Sequence, residues 1–348
     1  RMLRKLLCPK LVGVSKRASS QGLASAASYV GVRASTPWQH VVHAQRGMAT
    51  RADARPGGGP DKNKWKAESK IDNATAVKKM RDKAEEGDVG SQYTLGSALM
   101  RGQLGLMKNT REAGEWLLKA AEAGNVHAQF SYAMLLNEGD GMPKDQVNAV
   151  KYWTAAAESD LAAAQYYLGC AYQKGAGVER DDAAAAILFA RAVAQQHEQS
   201  SLKLATCYIS GHGVEQDYPR AVNLLTKPAN NGIAEAQFLL GYLYLTGQGG
   251  VKKDVPHAMS MLEISGNSGF LRSKHYLATC FLDGKEVTKN EQRATTLFQE
   301  AALKGHADSC FALYKMFSKG NGLEKESKQW LQRAAQAGHP EAKQLLKK

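Results

Sequence analysis

Apolar and small residues in residues 73–348 recur at three- and four-residue intervals, in short runs broken by glycine and aspartate. That is the period of amphipathic helices, not of strands. Two of these runs, "AAQYYLGCAYQKG" and "EAQFLLGYLYLTG", are versions of one pattern. Aligned on Gln92, Gln129, Gln165, Ser201, Gln237, Lys274 and Cys310, seven such runs lie 36 or 37 residues apart. Four residues on comes a small residue, Gly96, Ala133, Gly169, Ala205, Gly241 or Ala278, with Tyr314 the exception. A second helix follows each, marked by Ala113, Ala149, Ala185, Ala221, Ala258, Ala294 and Ser327. A fixed period of this length is the signature of stacked supersecondary units. Seven helical hairpins fit between residues 89 and 337. An unpaired second-type helix, "NATAVKKMRDKAEEG", precedes them, and the short "PEAKQLLKK" follows as a cap.

The joints carry their own chemistry. "GAGVERDDAAAA" looks like a glycine-rich loop opening a helix, where a phosphate would sit. A phosphate loop is needed once, and this joint recurs at one phase. The pairs Gly139/Gly141, Gly175/Gly177, Gly211/Gly213, Gly247/Gly249 and Gly320/Gly322 each end a first helix. Asn109, Asp145, Asp181, Asp217, Asp254 and Asn290 then stand four residues before the reference alanine, as N-caps. The stretch is a turn between helices, and no nucleotide or other cofactor is expected.

These features resemble the Sel1-like repeat family, a relative of the tetratricopeptide repeat. "AQYYLGCAYQKGAGVERDDAAAA" and "AQFLLGYLYLTGQGGVKKDVPHAM" carry the resemblance, with the helix endings "KAAEAG", "EAALKGHADS" and "RAAQAGHPEA". The unit at 271–304 departs, since "DGKEVTKN" has one glycine where two are usual. The resemblance implies an all-α, right-handed α-solenoid of about seven repeats over residues 73–348, serving as an adaptor or scaffold. It implies no reaction.

Charge changes the picture only at one end. The net charge of +13 invites a nucleic-acid or membrane partner. Residues 1–72, however, hold 14 Lys/Arg against 4 Asp/Glu, and the rest hold 32 against 29. The first acid is Asp53, and Arg and Lys before it are interspersed with Leu, Val, Ala and Ser. This predicts a mitochondrial transit peptide over residues 1–50. "QRGMATRA" resembles a matrix-protease cleavage region. Residues 51–72 then form a flexible linker containing Trp65, and the location is mitochondrial, in the matrix. No run of 18 apolar residues occurs, so no membrane span is expected.

Candidate chemistry is sparse. Cys170, Cys207, Cys280 and Cys310 are isolated on helices, with no metal-ligand spacing, and are read as free thiols in apolar surroundings. Neither H-E-x-x-H nor G-x-S-x-G occurs, so no catalytic residues and no metal site are proposed. By analogy with the tetratricopeptide groove, one position of the first-helix wall reads Tyr93, Phe130, Tyr166, Leu202, Phe238, His275 and Phe311, with Tyr242 beside it. This ladder is either a partner-binding groove with aromatic anchors or ordinary packing between helices. The absence of Lys, Arg and Asn from matching positions argues against a carboxylate clamp. The expected function is a non-catalytic scaffold, an accessory subunit or assembly factor of a mitochondrial complex, either mitoribosome or respiratory chain. An organellar RNA-binding repeat protein is the first alternative, opposed by the near-neutral body. A β-lactamase-like hydrolase is the second, opposed by the absence of paired cysteines within a unit. Nucleic acid enters only through a ribonucleoprotein partner.

Overall fold

The computed structural model describes the backbone of residues 62–318 and 324–347, with side chains from residue 73 onward. The predicted transit peptide, most of the linker, Trp65 and the pair Gly320/Gly322 lie outside the described residues. Sixteen α-helices and no strand occur among those described. The first, α1 (Lys62–Glu85), starts inside the stretch predicted as a linker. The first helices of the hairpins are α2 (Val89–Arg101), α4 (Val126–Glu138), α6 (Ala162–Lys174), α8 (Glu198–Ser210), α10 (Ala234–Thr246), α12 (Leu271–Asp283) and α14 (Ala307–Phe317). The second helices are α3 (Thr110–Glu122), α5 (Gln146–Glu158), α7 (Asp182–Ala194), α9 (Tyr218–Asn230), α11 (Val255–Asn267), α13 (Glu291–Leu303) and α15 (Glu324–Gln336); α16 (Pro340–Leu345) follows. From α2 to α16 each helix packs on its neighbours in sequence, so the hairpins form an α-solenoid.

The small residues do the expected work. A Cβ on Gly96 would meet the Leu117 side chain at 2.8 Å, on Gly169 the Phe189 ring at 2.7 Å, and on Gly241 Leu262 at 2.9 Å. Glycine on the first helix therefore admits a large side chain from the second. Ala113, Ala149, Ala185, Ala221, Ala258 and Ala294 are all 0% exposed. At this approach, even a methylene more would force backbone shifts.

The predicted caps are also in place. Asn109, Asp145, Asp181, Asp217, Asp254 and Asn290 each accept a backbone N–H from the first turn of the helix they open. Each satisfies a donor that the helix leaves orphaned. In the departing unit, Glu286 stands where other loops have a second glycine. Its carboxylate pairs with Lys253 of the preceding loop, so an ion pair replaces the backbone contact there. An analogous inter-loop link joins Lys108 to Asp140 at 2.9 Å.

Ring contacts such as Phe130 to Tyr167 and Phe238 to Tyr276 join first helices of adjacent repeats. Ion pairs such as Arg81–Glu112 and Arg293–Glu263 join second helices. The solenoid thus has a first-helix wall rich in rings and a second-helix wall stitched by charge.

Candidate functional site

The ladder residues all fall on the first helices, and the ladder's rings are tied to the element that follows. Tyr93 lies 5.9 Å from His127, Tyr166 5.3 Å from His197, and Phe238 5.4 Å from Phe270. His275 lies 5.1 Å from His306, and Phe311 stacks on His339 at 4.0 Å. His197, Phe270 and His306 are the N-cap residues of the next first helices, and His339 is the N-cap of α16. A ladder ring therefore packs on the residue that opens the following hairpin, a contact between repeats that fixes their spacing.

Burial divides the ladder. Phe238, Tyr242 and Phe311 are only 2%, 3% and 5% exposed and Leu202 is buried, while His275 is half-buried. The four most buried of these positions offer a partner little surface. The reason is local: α10 is apolar on every side, and Phe270 and Tyr276 close over Phe238 and Tyr242. Tyr93, Phe130 and Tyr166 stay half-buried, so repeats 1–3 offer a partner three successive ladder rings. Tyr167 and Lys174 share this stretch and Lys203 follows in repeat 4; the sequence alone gave the three no role. A tyrosine pair in "AQYYLG" was the available signal.

The alignment positions themselves proved to be structural. Gln92, Gln129, Gln165 and Gln237 donate through Nε2 to the carbonyls of Ala84, Ala121, Ala157 and Ala229, at 3.0–3.3 Å. Cys310 Sγ reaches the carbonyl of Ala302 at 3.7 Å. Each adds a side-chain donor to a carbonyl at the C-terminus of the preceding second helix, which already accepts a backbone N–H from the turn that follows. Lys274 departs from this and pairs with Glu300 instead.

Nothing in the titrating groups points to catalysis. Burial pushes the Cys207 and Cys280 thiols up to about 11 and holds Cys170 and Cys310 above their ordinary value. Such thiols stay protonated and poorly nucleophilic. Burial, with a contribution from His306, holds His275 down to about 4 against the opposing pull of Asp308. His306 and His275 both bond Ser309 Oγ through Nδ1, at 2.9 and 3.0 Å. Ser309 is 0% exposed, so the Ser/His contact is a buried knot with no room for substrate. Among the described residues no group of three His, Cys, Asp or Glu side chains could hold a metal. No helix among them is long and apolar enough to cross a membrane.

Comparison with known proteins agrees with the architecture. The Sel1 repeat profile matches at 89–125, 126–161, 162–197, 199–233, 234–270, 272–306 and 309–339. A solved protective antigen of uropathogenic Escherichia coli displaying an SLR fold is similar at 31% identity and a TM-score of 0.68, over 77% of this chain. The chain spans only 58% of that protein. A Sel1 repeat protein from Oxalobacter formigenes is similar at 28% identity and a TM-score of 0.61, over 79% of this chain and 80% of its own. A comparison with curated proteins finds no match. With seven repeats matched in register, the chain belongs to the Sel1 repeat family.

Proposed function

We propose that this protein is a non-catalytic scaffold in the mitochondrial matrix, an accessory subunit or assembly factor of a large complex, with mitoribosome and respiratory chain the first candidates. Sel1 repeat proteins are in general protein-interaction scaffolds. The observation that carries the proposal is the first-helix wall, half-open and ring-lined over repeats 1–3 while Cys207, Cys310 and Ser309 are buried. A surface that is shaped and chemically inert suits holding a partner rather than transforming one. The acid-free, basic opening of the chain supports the location.

The test is native size fractionation of detergent-solubilised mitochondria, with the protein followed by mass spectrometry. Co-migration with a megadalton particle is expected, and the particle's composition names the complex. Migration at monomer size throughout would overturn the accessory-subunit form, and absence from mitochondria would overturn the location.

A further inference from the structure

Between repeats 2 and 4 the first-helix wall gathers rings and cations. Phe130 of α4 lies 5.6 Å from Tyr167 of α6, and Tyr167 meets Tyr166 edge-on at 5.2 Å. All three rings are half-buried. Behind them Trp153 stacks on Tyr167 at 5.6 Å, and its indole N–H finds no acceptor among the described residues. On α6, Tyr166, Cys170 and Lys174 follow at four-residue intervals and so share one face. Lys203 on α8 takes the register position of Tyr167 one repeat later, 36 residues on. Tyr166 and Cys170 hydrogen-bond to each other, and both ammonium groups act electrostatically on Cys170. The two lysines therefore border the ring patch.

Neither lysine has a carboxylate partner among the described residues. On the second-helix wall, by contrast, Arg81, Arg191 and Arg293 are paired with Glu112, Asp160 and Glu263. Lys203 is moreover half-buried. A cation held there loses part of its hydration, and an incoming carboxylate restores that loss. We propose that Phe130, Tyr166, Tyr167, Cys170, Lys174 and Lys203 form a docking patch for an acidic segment of a partner protein carrying an aromatic or long aliphatic anchor. This rests on the scaffold reading and gives its partner a chemistry. The anchor lies on the rings, and its flanking carboxylates meet the two ammonium groups. Bases would also stack on such rings, but a nucleic-acid strand needs a row of phosphate contacts, and two lysines give a short row.

The patch is tested by selecting a displayed library of random short peptides on the full 348-residue chain. Enriched peptides are expected to combine Asp or Glu with Phe, Tyr, Trp, Leu or Met. Their affinity should fall about tenfold, the worth of a charge-assisted contact, on the Lys174→Glu/Lys203→Glu chain. The same peptides with Lys in place of Glu should regain binding to that variant. If the charge reversal disturbs folding, Lys174→Gln/Lys203→Gln gives the same contrast without added repulsion. Absence of acidic enrichment, equal binding to wild type and variant, or tighter binding of a single-stranded RNA oligonucleotide than of any selected peptide overturns the proposal. Co-migration with a large particle but no acidic enrichment overturns the patch alone. Acidic selection by a chain that migrates as a monomer overturns the accessory-subunit reading alone.

Discussion

Gly213 lies so close to Asp182 that a Cβ on the glycine would stand 1.9 Å from the aspartate's carbonyl oxygen. The second glycine of one loop thus sits on the first turn of the preceding second helix. Gly177 repeats the contact, with 2.2 Å to the carbonyl oxygen of Gln146. Gly213 also has φ of 74°, in the left-handed region. Gly213→Ala should therefore combine backbone strain with overpacking and cost about 2–4 kcal/mol. Gly211 has φ of 71°, but its nearest contact would be an ordinary 3.6 Å. Gly211→Ala should cost about 1 kcal/mol, from strain alone. Denaturant unfolding of the two variants checks the difference, and equal losses would show that the inter-repeat contact is unimportant.

Gln165 makes a second prediction. Its Nε2 bonds the Ala157 carbonyl at 3.3 Å and Asp160 Oδ1 at 3.1 Å, and the residue is 0% exposed. Gln165→Leu removes both bonds, but the Ala157 carbonyl keeps the Asp160 N–H and Arg191 as donors, so the cost should be about 1 kcal/mol. Hydrogen exchange should show the loss at the joint between α5 and α6. An unchanged exchange pattern there would mean that water replaces the side chain.

The period made the hairpins, the caps and the small-residue contacts legible, because each obeys a rule local to one repeat. Asp181 can be read as a cap from four residues of context. Contacts that cross between repeats were harder. Phe311 stood out in the sequence as a ladder residue, but nothing local says that it stacks on His339. Gln165 marked the register without revealing its bond, since the acceptor is a backbone carbonyl and leaves no trace in side-chain pattern. Lys203 was invisible as a site residue because its significance lies in lacking a partner, which only packing can show.

Acid should loosen the C-terminal repeats. His275 is held neutral at about 4, and burial also holds His306 and His339 below their ordinary value. The groups facing them are Asp308 and Glu341, which oppose the shift, and Arg272 and Lys315, which favour it. A depressed imidazole value means that the folded state binds fewer protons than the unfolded one. Stability is then complete above about pH 6.5 and falls as the pH drops toward 4, by about 3 kcal/mol for His275. Denaturation midpoints between pH 7 and pH 4 should fall for wild type, and less steeply for His275→Gln. Parallel slopes for the two proteins would assign the acid sensitivity to other groups.

The divided ladder separates stability from binding, and two substitutions at the same repeat position test it. Phe238 is 2% exposed and packed against Phe270 and Tyr276, so Phe238→Ala opens a cavity and should cost about 3–5 kcal/mol. Tyr166 is half-buried between Tyr167 and His197, and its loss leaves a space that solvent can enter. Tyr166→Ala should cost less than half as much, yet weaken peptides selected on the wall, whereas Phe238→Ala should leave their affinity unchanged at temperatures where it is folded. The two readouts are a thermal melt and a peptide titration on the same preparations. Phe238→Ala weakening peptide binding without loss of stability would assign the buried rings to the binding surface as well, opening to receive a partner.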